Sequence, residues 1–110
     1  MSRMTTLTTE RRPSGVLVIC LHGDLDALGT QMVEPDFTAA ILDHDQCVVV
    51  DMSDVSFMSS SGMALLLIKG KALRAAGGDL IVAGPSTRVL EVFALAGFHE
   101  LFEVYQTVEE

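Results

Sequence analysis

The 110-residue sequence contains no tryptophan, one tyrosine and two cysteines, and only seven lysines and arginines against fifteen aspartates and glutamates. Its formal net charge of -8 repels nucleic acid and anionic membrane surfaces. We therefore expect a protein partner or a small ligand, and no stable membrane association. No apolar run approaches the roughly 20 residues that a membrane-spanning helix needs. The opening residues also lack the apolar core of a secretion signal, so we expect a cytoplasmic location.

The few cysteines and histidines form neither a disulfide framework nor a metal-binding pattern. Cys20 and Cys47 lie in separate apolar runs, where a reduced thiol packed as a small hydrophobic side chain is the expected state. His22, His44 and His99 are scattered and lack the spacings typical of zinc sites. The sequence therefore predicts no metal, no cofactor and no structural disulfide.

The composition is that of a folded protein, with 49% hydrophobic and 20% charged residues. A chain of this length builds one core and is too short for two. We expect a single domain over residues 1–110 that is monomeric.

Strand and helix signals alternate along the chain. Parallel strands need crossover connections, so this alternation predicts an α/β fold with one sheet of mixed parallel and antiparallel strands and helices packed against it. Pro35 is taken as the start of the first helix. The predicted strands cover residues 4–10, 16–21, 47–52, 80–83 and 101–105, and the predicted helices cover 35–42, 59–76 and 86–96.

The longest predicted helix opens with three serines and a glycine, Ser59 to Gly62. The N–H groups of a first helical turn have no acceptor within the helix, and the helix dipole favours negative charge there. A serine at this place is ordinarily an N-cap, but a phosphate would be accommodated as well.

At 100° per residue, Ser60 shares one stripe of this helix with Met63 and Leu67. That stripe ends in two cations, so we predict that it faces solvent and that Met63 and Leu67 form an exposed apolar patch, unless loops cover them. Such patches are typical of partner surfaces, and a phosphate on Ser60 would make docking there costly. The cations are Lys71 and Arg74, and the uncharged stripe predicted to face the core comprises Leu65, Ile68, Ala72 and Ala76.

Other candidate chemistry is weaker. Asp24 and Asp26 could act as paired carboxylates, but two acids after a strand more typically form a turn and a helix cap. Asp51 and Asp54 flank the serine loop and are expected to shape it. The sequence contains no Gly-x-Ser-x-Gly elbow around Ser60 and no phosphate-binding glycine loop, which argues against a hydrolase or an ATP-binding enzyme.

Several short motifs follow one another along the chain. They are Gly23-Asp24-Leu25-Asp26, Val48-Val49-Val50-Asp51, Phe57-Met58-Ser59-Ser60-Ser61-Gly62, then Ala76 to Gly84, Val89 to Phe93 and Gly97-Phe98. In this ordered set the sequence resembles the STAS domain family, most closely its free-standing anti-sigma-factor antagonists. The resemblance covers nearly the whole chain. It departs from the family at Ser59, where the usual residue is aspartate.

The resemblance implies that Ser60 is phosphorylated, with Ser61 and then Ser59 as alternatives, and that Asp26 lies near it. It also implies that the unphosphorylated protein binds an anti-sigma factor that is a serine kinase. Phosphorylation by that kinase would end the complex, and a serine phosphatase would restore it. The residues expected to contact the partner are Asp24, Asp26, Ser59, Ser61, Gly62, Met63, Leu67 and Lys71.

Two other functions remain open at this point. An accessory STAS subunit of a lipid or anion transporter would use the same surface to dock on its ATPase. A small serine-dependent enzyme would use Ser60 without a partner.

Overall fold

A computed structural model describes residues 4–42, 45 and 47–108. Within these residues, five strands form one sheet in the order β1-β2-β3-β4-β5, in which β1 is antiparallel to β2 and the other neighbours are parallel. The predicted α/β fold with a single mixed sheet is confirmed. The elements are β1 (Thr6–Arg11), β2 (Leu17–His22), α1 (Ala27–Ala40), β3 (Cys47–Asp54), α2 (Ser60–Ala75), β4 (Asp79–Ala83), α3 (Thr87–Ala96), α4 (Phe98–Leu101) and β5 (Val104–Tyr105).

The main core lies between one face of the sheet and the helices. Alternate residues of the inner strands, among them Ile19 and Val50, cluster with buried helical side chains such as Phe37, Leu66 and Phe93. This follows from the two-residue period of a strand, which sends every second side chain to the same face. A smaller cluster on the opposite face contains Val18, Val49 and Ala83, with Val108 packed against it.

Helix α1 differs most from its prediction. It begins at Ala27 rather than at Pro35, because the Asp26 side chain caps it by accepting a hydrogen bond from the Gly29 N–H at 2.7 Å. Pro35 therefore lies inside the helix, where it cannot donate to the carbonyl of Gln31. Both residues are exposed, so water can reach that carbonyl.

The later helices were predicted more closely. Ser86 caps α3 through its hydroxyl, and Gly97, with a φ of 69°, ends it. The rings of Phe93 and Phe98 stack with 4.4 Å between their centroids, so Phe98 packs over the last turn of α3 as expected. The final predicted strand was too long, since α4 takes up its first residue and only Val104–Tyr105 pairs with β4.

Three expected absences concern the described part of the chain. None of its helices is both long and apolar enough to cross a membrane. No group of three or more His, Cys, Asp or Glu side chains in it is arranged to hold a metal ion, and His44 lies outside it. Cys20 and Cys47 are both free thiols and half-buried.

Candidate functional site at the start of helix α2

The three serines before and within the first turn of α2 lie in different surroundings. Ser59 occupies the N-cap position but makes no capping hydrogen bond with its side chain. Its hydroxyl is half-buried and donates to the carbonyl of Leu25 at 2.9 Å. Ser60 and Ser61 are exposed, and among the described residues neither hydroxyl has a hydrogen-bond partner. The two exposed hydroxyls are therefore accessible to a modifying enzyme.

The loop before α2 is bound to the segment that follows β2. The Leu25 N–H donates to the carbonyl of Phe57 at 2.9 Å, and the Ser59 N–H donates to the carbonyl of Leu25 at 2.9 Å. Leu25 and Met58 form a parallel bridge between these bonds. The structure thus brings Asp24 and Asp26, which flank Leu25, to the same end of the sheet as the three serines.

The two carboxylates there take part in shaping the site. Asp24 accepts a hydrogen bond from the Ser56 hydroxyl at 2.8 Å, and its main-chain carbonyl accepts one from the Thr5 hydroxyl at 2.7 Å. Asp26 is the α1 cap described above. Both acids are exposed and line a cavity of about 400 Å³. Their arrangement fits the turn and the helix cap that the sequence favoured over acid-base catalysis.

Two glycines allow this close packing. A Cβ atom on Gly62 would lie 2.8 Å from the Leu25 Cβ and 2.9 Å from the Leu25 carbonyl oxygen. A Cβ on Gly29 would overlap the carbonyl of Asp24. Gly62, which the sequence placed among partner contacts, is buried and serves to seat α2 against Leu25.

The predicted apolar patch of Met63 and Leu67 is wrong. Met63 is only 5% exposed, and Leu67 is partly buried against the main core. The predicted core stripe is also wrong apart from Leu65, because Ile68 is 63% exposed and the two alanines on it are exposed. The buried arc of α2 instead comprises Gly62, Met63, Leu65, Leu66, Gly70 and Leu73.

The error came from treating the two cations as markers of a solvent face. Arg74 is exposed, yet its guanidinium lies 4.3 Å from the ring centroid of the buried Phe102 and pairs with Asp79 at 2.9 Å. Arg74 thus lies at the rim of the core, and a cation there does not show that the helical stripe it belongs to faces solvent.

An exposed apolar surface does adjoin Ser60, but other residues form it. On α2 the exposed residues nearest the serines are Ala64 and Ile68, and the exposed Lys71 is roughly 16 Å along the helix axis from Ser60. Leu28 of α1 is 66% exposed and Phe57 is 42% exposed. Leu28 was missed because its segment was predicted as a turn, and Ile68 because it was assigned to the core.

The chain is similar to known proteins over almost all of its length. The model of the STAS domain family matches residues 8–110. BtrV of Bordetella bronchiseptica, a candidate anti-sigma factor antagonist, is 30% identical over 95 residues, which cover 86% of this chain and 82% of BtrV.

The fold is also similar to that of several solved structures. A Mycobacterium paratuberculosis anti-sigma factor antagonist superposes with a TM-score of 0.88 at 24% identity, covering 99% of this chain and 93% of that one. The anti-sigma factor antagonist SpoIIAA in its unphosphorylated form gives 0.74 at 27% identity, covering 90% and 87%. The phosphorylated form of SpoIIAA, from Bacillus, gives 0.69 at 26% identity, covering 90% of each chain.

Proposed function

The chain belongs to the STAS domain family, and we propose that it is an anti-sigma factor antagonist, a protein-binding switch without catalytic activity of its own. In this proposal, the unphosphorylated form sequesters a cytoplasmic anti-sigma factor that is also a serine kinase. Phosphorylation of Ser60 by that kinase releases it, and a serine phosphatase resets the switch. The relatives described as anti-sigma factor antagonists support this role.

The observation that carries the proposal is the exposed hydroxyl of Ser60 on the first residue of α2, which has no hydrogen-bond partner among the described residues and lies near exposed apolar side chains. Ser59 is less suited, because its hydroxyl is half-buried and bound to Leu25. Ser61 is equally exposed and remains the second choice. That a relative was solved in both unphosphorylated and phosphorylated forms supports a modification of this kind.

A phosphate on Ser60 would act through charge and hydration. It adds about -1.5 to -2 charges at neutral pH, and the N-terminus of α2 stabilises that charge within the protein. Apolar side chains of a partner would then have to displace the phosphate's hydration shell. Each loss of about 1.4 kcal/mol weakens binding tenfold, so a cost of a few kcal/mol is sufficient for release.

The test is to incubate the purified protein with the anti-sigma factor and ATP, then to locate any added phosphoryl group by fragment mass spectrometry. We expect one group on Ser60, none on the Ser60→Ala variant and an unchanged yield on Ser61→Ala. In binding assays, Ser60→Ala should stay bound in the presence of ATP, and Ser60→Glu should bind at least tenfold more weakly. A Ser60→Glu variant that binds like wild type would overturn the switch.

The same experiments address the alternatives. Stable capture of a transporter ATPase, with no phosphorylation, would favour the accessory-subunit function. Hydrolysis of ester or nucleotide substrates that is lost in Ser60→Ala without any partner would favour an enzyme.

A further inference from the structure

The strand β1 forms one edge of the sheet, and within the described residues no strand pairs with its outer side. Proteins usually protect such an edge with lysine, proline, a β-bulge or a covering segment, because an open edge pairs readily with another strand. β1 contains neither lysine nor proline, and its register with β2 runs without a shift. Five of its six residues are exposed. The edge therefore keeps the regular, accessible geometry that a further strand needs.

The hydrogen bonds of the β1–β2 hairpin show which main-chain groups of β1 point outward. The Arg12 N–H donates to the carbonyl of Val16 at 2.9 Å, and these two residues continue the β1–β2 register. Bonded pairs alternate along an antiparallel ladder, so the main-chain groups of the even-numbered residues of β1 face β2. Those of the odd-numbered residues face outward and have no main-chain partner in the part of the chain that the structure describes. The outward-facing residues are Leu7, Thr9 and Arg11.

Side-chain contacts hold β1 in place on both faces of the sheet. On one face, the Thr8 hydroxyl oxygen and the His22 Nε2 lie 3.0 Å apart. On the other face, the Arg11 guanidinium binds the buried Asp45 carboxylate at 2.6 Å. A segment that is already ordered loses little conformational entropy when it gains a neighbour. Pairing at this edge therefore costs little ordering.

The charges at this edge favour a second copy of the chain as the neighbour. The chain has a formal net charge of -8, so two copies repel each other over most of their surface. At β1, however, Glu10 pairs with Arg12 at 3.5 Å, and Arg11 pairs with Asp45. The edge is therefore neutral, and two acidic copies can approach each other there with little repulsion.

We propose that two copies pair through β1 in an antiparallel arrangement with twofold symmetry, which joins their sheets into one. Full overlap of the outward groups places Thr9 opposite Thr9 of the second copy, and Leu7 opposite Arg11. Each of these pairs exchanges both main-chain hydrogen bonds. Thr8 then lies opposite Glu10, so no like charges face each other directly. A twofold contact of this kind uses the same strand of both copies and closes at the dimer.

The dimer goes beyond the proposed switch, because none of the three serines at α2 lies on β1. It also differs from the monomer that the sequence led us to expect. Each dimer presents two Ser60 sites outside the contact.

The test is analytical ultracentrifugation of the purified chain over a wide range of concentrations, with amide hydrogen exchange followed by NMR in the same samples. We expect an equilibrium between monomer and dimer. As the dimer forms, the amides of Leu7, Thr9 and Arg11 should become protected, because only the outward groups gain partners. The amides of the even-numbered residues are bonded to β2 and should be protected at every concentration.

Variants at the centre of the contact give a second readout. Thr9→Pro removes an outward N–H, and proline is tolerated on an edge strand where that group faces solvent. The dimer should dissociate about tenfold more readily or more, because the symmetric pair loses both of its hydrogen bonds. At low concentration its unfolding midpoint should stay close to that of wild type. Thr8→Pro is the matched control, since it breaks the ladder to β2 and should lower the midpoint. Thr9→Lys should also weaken the dimer while leaving the main chain intact.

Three results would overturn the inference. A wild-type chain that is monomeric at every concentration has no such contact. A dimer that survives both Thr9→Pro and Thr9→Lys uses another surface. Protection of the outward amides in the monomer would show that the chain covers this edge itself. None of these results bears on the phosphorylation of Ser60, so the dimer and the switch can fail separately.

Discussion

At the scale of single residues, the surroundings of a side chain decide what it can do. Ser59, Ser60 and Ser61 are chemically identical, but Leu25 engages only the hydroxyl of Ser59. The N–H of Ser59 also donates to Leu25, so this residue fastens the loop before α2. Its neighbours face solvent and are available for other chemistry. Ser59 thus holds the loop in place, while Ser60 and Ser61 stay accessible.

Gly62 offers a sharp test of the packing beneath that loop. In an exposed helical position, replacing glycine by alanine raises the free energy of unfolding by about 1 kcal/mol. Here the added Cβ would meet Leu25 at 2.8 Å, so we expect Gly62→Ala to lower it by about 1 to 3 kcal/mol instead. Urea denaturation measures the difference. Ser61→Ala on the same turn is the control and should stay within about 0.5 kcal/mol of wild type; a stabilised Gly62→Ala would contradict the contact.

The two thiols give a prediction about pH. Burial raises the pKa of both, and nearby carboxylates add to the effect, Asp51 for Cys20 and Asp79 for Cys47. Because a raised pKa keeps the thiol protonated at pH 8, iodoacetamide should alkylate both cysteines more slowly than a free cysteine peptide. Asp51→Asn should lower the pKa of Cys20 and speed its alkylation, measured by peptide mass spectrometry. Cys47 in the same sample is the internal control, and equal acceleration of both would count against the local charge effect.

At the scale of helices and strands, capping residues predicted the ends of an element correctly where the sequence offered only one interpretation. Helix α3 begins after Ser86 and ends at Gly97, as predicted, because a serine cap and a left-handed glycine act within one turn of the helix end. Pro35 misled the prediction of α1, because proline is favoured in the first turn of a helix and disfavoured inside it. The Asp26 cap shows that an N-terminal signal nine residues before Pro35 determined the start of the helix.

The direction that α2 faces could not be read from its own sequence. Met63 and Ile68 are both apolar, and which one is buried depends on the elements packed around the helix. A Cβ on Gly70 would overlap the ring of Phe102, which is distant in sequence. The apolar patch predicted from Met63 and Leu67 was therefore wrong, and the exposed apolar residues near Ser60 became evident only from tertiary packing.

The cap of α1 can be tested directly. Asp26→Ala removes the acceptor for the Gly29 N–H, which should lower the free energy of unfolding by about 0.5 to 2 kcal/mol. Asp26→Asn retains a capping oxygen and should stay close to wild type. Urea denaturation followed by circular dichroism compares the two. Equal losses in both variants would show that the charge of Asp26, rather than the cap, is what stabilises α1.

At the scale of the whole molecule, strand order explains why the site forms. β2 and β3 are parallel neighbours, so the segments that follow them meet at the same edge of the sheet. Asp24 and Asp26 follow β2, and the serine loop follows β3. This meeting follows from the βαβ pattern of the sequence. The exposure of Leu28 and Ile68 near the serines does not, because it depends on a helix start and a helix face that the sequence placed wrongly.

An ion pair between the exposed Arg11 and the buried Asp45 fastens the edge strand β1 to the connection between α1 and β3. The Arg11 guanidinium donates to both carboxylate oxygens of Asp45, at 2.6 and 3.0 Å, and the Asp45 side chain is only 1% exposed. The carboxylate also accepts from the N–H of Leu42 at 2.7 Å. Replacing Arg11 alone leaves the buried carboxylate without its guanidinium, and this is more damaging than removing both charges.

We therefore expect Arg11→Gln to lower the thermal unfolding midpoint at pH 7. Arg12→Gln is the matched control, since its guanidinium meets the exposed Glu10 at 3.5 Å, a surface pair of small value. Adding Asp45→Asn to Arg11→Gln should recover part of the loss, because the buried charge is then gone. If the two arginine variants unfold at the same temperature, or if the double variant is the least stable, the carboxylate of Asp45 does not depend on Arg11 for its compensation.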